Sequence, residues 1–82
     1  NPFNPTTQIH LELTRSTHAR VTVLDVAGRR VRLLADGEFS TGLHLMPWNG
    51  TGDGGRVLAS GVYFVHVQTD VASQTHRLVM LK

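Results

Sequence analysis

The 82-residue sequence contains no cysteine, which excludes a disulfide framework and any thiolate metal site. Its apolar runs are only a few residues long, too short for a helix that spans a membrane. Charged residues make up 17% of the chain and the net charge is only +2, which does not indicate a nucleic-acid-binding protein. A chain of this length forms one small domain with little core left over for an internal catalytic cavity.

Helical periodicity is also missing, and short alternating segments separated by turns take its place. Residues 7–13 alternate apolar and polar side chains, which is typical of a half-buried strand. The other predicted strands cover residues 19–26, 31–34, 42–48, 57–58, 62–69 and 75–81. Asp36-Gly37 and residues 49–55 are predicted turns. Seven such strands predict an all-β, antiparallel sandwich of immunoglobulin or fibronectin-III type with essentially no helix; a small closed barrel is the alternative.

Prolines are few, and two of the three lie in the first five residues. Each fixes its own φ and favours an extended residue before it, so residues 1–6 are predicted to form an extended lead-in to a single domain at residues 7–82. Phe3 is expected to cover the core. Pro47 lies inside a predicted strand and indicates an edge strand or the end of a strand. The sequence starts without a signal segment, so we expect a mature product or part of a longer protein.

Residues 50–55 match the dinucleotide-binding pattern G-x-G-x-x-G. That site requires a helix directly after the glycines, whereas strand and turn residues follow here, so we expect no nucleotide. Calcium binding by Asp53, the Asn49 side chain and backbone carbonyls is left open, although one carboxylate is fewer than calcium usually takes. The simpler interpretation is a turn with several glycines at positive φ, in which Asp53 bonds to its own loop.

No other group of residues predicts a catalytic, cofactor or metal site. The five histidines show no ligand spacing, so zinc is not expected. Ser60 lacks the flanking glycines of a nucleophile elbow, and the six carboxylates are scattered over turns and strand surfaces. Arg30 and Arg32 are expected to share a strand face, where they would either grip a phosphate or acidic partner, or discourage pairing at a sheet edge. The chain is therefore predicted not to be an enzyme and to take no cofactor.

The order of short motifs is more specific than any one of them. These motifs are Asn1-Pro2-Phe3-Asn4-Pro5, Leu24-Asp25-Val26-Ala27-Gly28-Arg29, Gly42-Leu43-His44, Trp48-Asn49-Gly50, Ala59-Ser60-Gly61-Val62-Tyr63-Phe64 and Arg77-Leu78-Val79-Met80-Leu81-Lys82. Over its whole length the chain resembles the C-terminal sorting domain of type IX secretion cargo and the similar immunoglobulin-like domain of the flagellar hook-capping protein. The resemblance implies a seven-stranded sandwich attached to an exported bacterial protein and read by an outer-membrane translocon.

The same resemblance implies that Gly61, Tyr63, Arg77 and Lys82 contact a partner. We expect a sorting or anchoring module at the cell surface, whose partners are an upstream cargo domain and the secretion machinery, with no nucleic acid and no membrane insertion. Removing Arg77 to Lys82 should then abolish export. The alternative is a structural unit of an extracellular filament, cap or surface assembly, with strand exchange between copies through residues 1–7. Carbohydrate binding ranks last because exposed aromatic residues are lacking.

Overall fold

The computed structural model describes residues 7–81, and the lead-in, Phe3 and Lys82 lie outside this range. The described part contains six strands and one short 3₁₀ turn. They are β1 (Thr7–Leu13), β2 (Thr17–Leu24), β3 (Arg30–Phe39), β4 (Gly42–Trp48), the 3₁₀ turn (Asp53–Gly55), β5 (Gly61–Thr69) and β6 (Ser73–Met80). The short strand predicted at residues 57–58 is reduced to one isolated bridge between Val57 and Thr51. The predicted all-β fold is confirmed.

The strands form two antiparallel sheets that face each other as an immunoglobulin-like sandwich. One sheet holds only β1 and β4, and the other has the order β3-β2-β5-β6. Pro47 lies in β4, which pairs with β1 alone, so the edge position predicted from this proline is confirmed. Within residues 7–81 no helix is long and apolar enough to cross a membrane.

Alternation along the strands explains the core. In β1 the residues Ile9, Leu11 and Leu13 are buried while the residues between them are exposed. The same period of two places Tyr63, Val65 and Val67 of β5 inward. Within residues 7–81 the buried apolar residues are Ile9, Leu11, Leu13, Ala19, Val21, Val23, Trp48, Leu58, Tyr63, Val65, Val67 and Met80. Both sheets contribute to it, as a sandwich requires.

The turn predicted at Asp36-Gly37 is wrong. β3 runs through both residues, which pair with Arg20 and Ala19 of β2, and the chain instead reverses after Phe39. Pairing along the whole of β2 outweighs the local turn preference of an Asp-Gly pair, because each cross-strand pair buries side-chain surface. The strand predicted at residues 19–26 is also shifted, since β2 begins at the buried Thr17 and ends at Leu24.

The predicted common face of Arg30 and Arg32 is also wrong. The register between β2 and β3 shifts at two places, and after the second shift Arg30 pairs with Leu24 while Arg32 pairs with Val23. Adjacent residues of β2 point to opposite faces, so a bulge at Val31 sends the two arginines to opposite sides of the sheet. The two guanidinium groups therefore do not form the phosphate grip that simple alternation suggested.

Candidate functional site

Gly61 and Tyr63, two of the predicted partner-binding residues, lie at the start of β5. Gly61 pairs with Met80 of β6. The Tyr63 side chain is buried, and its hydroxyl donates to the Ala59 carbonyl at 2.7 Å. Its ring meets the Trp48 ring edge-on, with centroids 5.7 Å apart. A tyrosine hydroxyl bonded to the backbone a few residues upstream is a stabilising feature of immunoglobulin-like sandwiches, so the ring serves the fold.

Arg77 is the predicted site residue whose side chain the structure presents to solvent. It lies on the outer face of the four-stranded sheet, directly opposite the half-buried Phe64 of β5. Tyr63 points to the inner face of the same sheet, so the two predicted contacts do not converge on one surface. Lys82 lies outside the described residues. A partner contact by Arg77 stays a prediction.

Residues 49–55, which we call the glycine-rich loop, bind to the edge of β3. Asp53 accepts a hydrogen bond from the backbone N–H of Leu33 at 3.0 Å, and its other oxygen lies 3.7 Å from Arg30. From the opposite face Arg32 donates to the Thr51 hydroxyl at 2.8 Å and to the Gly52 carbonyl at 3.3 Å. The sequence had suggested that Asp53 bonds to its own loop. In the structure it bonds to β3 instead. The loop covers part of an edge that would otherwise offer free N–H groups.

The same loop is held from below by Trp48 and Met80. The Trp48 indole N–H donates to the Thr51 carbonyl at 2.9 Å. Gly50 has a φ of +79°, and a Cβ atom there would collide with the Met80 sulfur. Positive φ at Gly50, and also at Gly54 and Gly55, confirms the predicted glycine turn.

The side-chain oxygens that were considered as calcium ligands in this loop already have hydrogen-bond partners. The Asn49 amide oxygen accepts from the Thr51 hydroxyl at 2.7 Å, and the Asp53 carboxylate is bonded as described. Phosphate binding would require a helix directly after the glycines. The loop contains only the three-residue 3₁₀ turn Asp53–Gly55, and the next element is β5. Within the described range no three His, Asp or Glu side chains gather where they could hold a metal ion.

An acidic and basic cluster on the outer face of β2 and β3 was missed by sequence reasoning. His18 contacts Asp36 through Nε2 at 2.6 Å and Glu38 through Nδ1 at 3.2 Å, and Arg20 lies 3.6 Å from Asp36. The hydrogen bond to Asp36 raises the pKa of His18, and the same bond lowers the pKa of Asp36. The sequence contains the matching patterns His18-x-Arg20 and Asp36-x-Glu38. The predicted turn at Asp36-Gly37 hid their pairing, because it placed these residues outside a strand.

This cluster predicts a pH-dependent stability. Its histidine pKa is raised above 6.5, so the contribution of His18 is present below that pH and is lost as pH rises through the raised value. The pKa of Asp36 is lowered below 3.8, so its contribution is lost only as pH falls through the lowered value. His18→Gln should therefore lower the melting temperature at pH 5 and have a smaller effect at pH 8.5.

Thermal unfolding of the wild type and His18→Gln at both pH values measures this difference. His10→Gln is the matched control, since His10 is an exposed histidine on β1 and residues 7–81 offer it no ion pair. An equal effect of His18→Gln at pH 5 and pH 8.5 would contradict the assigned role of the charged imidazole.

Comparison with known proteins adds a relationship to this geometry. A family model described as the FlgD Ig-like domain matches residues 1–73. Among solved structures, the crystal structure of FlgD from P. aeruginosa is similar, with a TM-score of 0.71 at 26% sequence identity. The match covers 92% of this chain and 59% of that one, so the chain spans less than two thirds of that structure's length. No curated protein matches the chain.

Proposed function

The chain belongs to the FlgD Ig-like domain family, and from this premise we propose that it is a non-catalytic structural module, a building unit of an extracellular filament, cap or surface assembly. The observation that carries the proposal is the shared fold with FlgD over 92% of the chain. Hook capping is implied by the resemblance of the sequence, and for this chain it is part of the proposal.

The distribution of side chains supports a structural duty. Tyr63 and Trp48 pack against each other in the core, and the arginines and Asp53 hold the glycine-rich loop to β3. The polar side chains considered for chemistry in residues 49–55, those of Asn49 and Asp53, are thus engaged in the fold. What remains outside is strand edges and sheet faces, which suit contacts with other proteins.

The partners proposed for this role are neighbouring copies of the module or adjoining domains of a longer, exported protein. The chain is similar to 59% of that FlgD chain, so part of FlgD lies outside the shared module. The proposed location is extracellular, at the cell surface.

Analytical ultracentrifugation of the purified chain across a wide concentration range tests the proposal. A structural unit should form species of defined mass as concentration rises, because every copy carries the same contact surfaces. A monomer at all concentrations would contradict assembly from this module.

A sorting role, read by outer-membrane secretion machinery, is the second candidate, and the exposed position of Arg77 on edge strand β6 favours it. The truncation that sequence analysis suggested is a poor test, because it also removes the buried Met80 and the half-buried Leu78. Losing such core side chains typically costs about 2–5 kcal/mol each, so failed export would follow from unfolding.

Arg77→Glu is the sharper test of sorting. It leaves the core intact and reverses one exposed charge, so a sorting contact should weaken and export of an attached cargo should fall by about tenfold or more. Arg56→Glu, at another exposed arginine, is the matched control. Unchanged secretion of cargo carrying Arg77→Glu would remove Arg77 from any sorting contact.

A further inference from the structure

The two sides of the sandwich differ in how their strand edges are protected. On one side β3 carries two register shifts, and Asp53 occupies the Leu33 N–H. The crossover from β3 to β4 closes this side, where the rings of Phe39 and His44 meet with centroids 5.0 Å apart. Pro47 lies in the adjoining edge strand β4. Bulges, covering side chains and proline are the devices by which sheets prevent unwanted pairing.

The opposite side, formed by β1 and β6, lacks these devices. β1 pairs with β4 over all seven residues without a register shift, and β6 pairs with β5 over all eight. Neither strand contains proline or lysine, and among residues 7–81 each pairs on one edge only. Both therefore present a regular free edge to the same side of the molecule.

The inner face of the wider sheet is incompletely covered on this open side. Gln74 and His76 of β6 pair with Val67 and Val65, so all four point toward the opposite sheet. The two valines are buried, whereas Gln74 and His76 are exposed. Neighbouring strands lie about 4.8 Å apart, so a two-stranded sheet cannot cover a four-stranded one. Room for a further strand is left beside β1.

Two clefts mark the ends of this uncovered gap. A cleft of about 220 Å³ lies where Leu13 of β1 faces Val67 and Gln74. A second, of about 210 Å³, lies where Thr7 faces Leu78. We call the two clefts and the exposed inner-face residue His76 between them the β1–β6 groove.

We infer that the β1–β6 groove accepts an extended segment, residues 1–6, from a neighbouring copy of this chain, which adds as a third strand to the free edge of β1. The inference rests on the proposed role as a building unit and names the contact through which copies join. Strand addition supplies backbone hydrogen bonds, and alternate side chains of the added strand face the pockets below. Phe3 is the large apolar side chain of the segment, and the groove has apolar walls at Leu13 and Val67.

The sequence around Pro5 favours a neighbouring copy over the segment's own domain. To lie antiparallel on β1 of its own domain, the segment would have to reverse just before Thr7. Tight hairpins of type I′ or II′ need a positive φ at their first central residue, and Pro5 is fixed near −65°.

The segment has the reach for this role. Six extended residues span about 20 Å, close to the length of a seven-residue strand. Pro2 and Pro5 lie on alternate sets of residues, so either set that faces β1 retains two N–H donors. A contact of so few bonds is weak in free solution, but adjacent copies in an assembly meet at effective concentrations near the millimolar range.

Hydrogen exchange of the full chain, followed by mass spectrometry from low to high concentration, tests the inference. The N–H groups of β1 should become protected as the chain associates, and a synthetic peptide with the sequence of residues 1–7 should give the same protection. Gln74→Lys, which places a charge on the groove floor, should weaken association about tenfold or more. Thr75→Lys, the next residue on the outer face of β6, is the matched control and should not.

The alternative outcomes are distinct. Association without protection of β1 would overturn the groove while leaving the building-unit proposal intact. Protection of β1 at every concentration, with no change in mass, would place the segment in its own domain and overturn the exchange between copies. A chain that stays monomeric with β1 unprotected would overturn both proposals. Equal weakening by Gln74→Lys and Thr75→Lys would show a general charge effect and count against the groove.

Discussion

Replacing Trp48 by alanine should lower the free energy of unfolding by about 3–5 kcal/mol. The side chain is only 2% exposed, packs on Tyr63 and donates its indole N–H to the Thr51 carbonyl. Its loss would leave a cavity between the sheets and release the glycine-rich loop from below. A domain of this length has a total stability of about 4–12 kcal/mol, so most of the folded population is at risk at 37 °C.

Urea unfolding of Trp48→Ala, Trp48→Phe and Leu45→Ala measures this effect. Phenylalanine keeps an aromatic ring but not the donor, so Trp48→Phe should cost about 1–3 kcal/mol. Leu45 lies on the same strand but is 54% exposed, and its replacement should change stability by at most about 0.5 kcal/mol. If Trp48→Ala cost no more than Leu45→Ala, Trp48 would not be the centre of the core that the structure describes.

Gly50→Ala should destabilise the domain by about 2–3 kcal/mol, for two separate reasons. Gly50 adopts a left-handed backbone conformation, which costs a residue with a Cβ atom about 1–2 kcal/mol. The added Cβ would also meet the Met80 sulfur, and overpacking of a core typically costs about 1–3 kcal/mol. Met80 is buried, but its flexible thioether lines the cleft beside Thr7 and can shift into it, so the collision should cost an amount near the lower end of that range.

Gly54→Ala separates the two terms. Gly54 also has a positive φ, of +84°, but a Cβ there meets nothing within 4 Å. The control should therefore show the backbone cost alone, and the difference between the two variants isolates the collision with Met80. Equal losses in thermal or urea unfolding would mean that Met80 yields without cost, and the overpacking argument would fail.

Alternation of side chains carried most of the fold prediction. Ile9, Leu11 and Leu13 announce a half-buried strand because each second residue of β1 is apolar, and the structure buries all three. The same alternation buries Tyr63, Val65 and Val67 on one face of β5. These predictions succeed because period-two burial is a local property of the sequence.

The failures share a different physical origin. The bulge that separates Arg30 from Arg32 and the pairing that straightens Asp36 both depend on the register between two strands. Register is set by the match of whole strands and cannot be read from a turn signal of two residues. The bond from Leu33 to Asp53 joins residues 20 positions apart, so no local pattern predicts it.

The predicted site residues illustrate the same limit. A family resemblance selected Tyr63 and Arg77 by their order in the chain, but the strand period sends their side chains to opposite faces of the sheet. The feature on which the further inference depends, a narrow sheet facing a wide one, follows from topology and has no sequence motif.

One protected and one open flank would give an assembly of this molecule a single direction of growth. Sideways stacking into an indefinite ribbon requires two receptive flanks on every subunit, and the clasp of Asp53 on β3 removes one of them. Copies that join through donated residues 1–6 would therefore form a single file with a defined front and rear. For the same reason a fluorescent tag or a crosslinker belongs on the β3 flank, where it would leave polymer ends free to elongate.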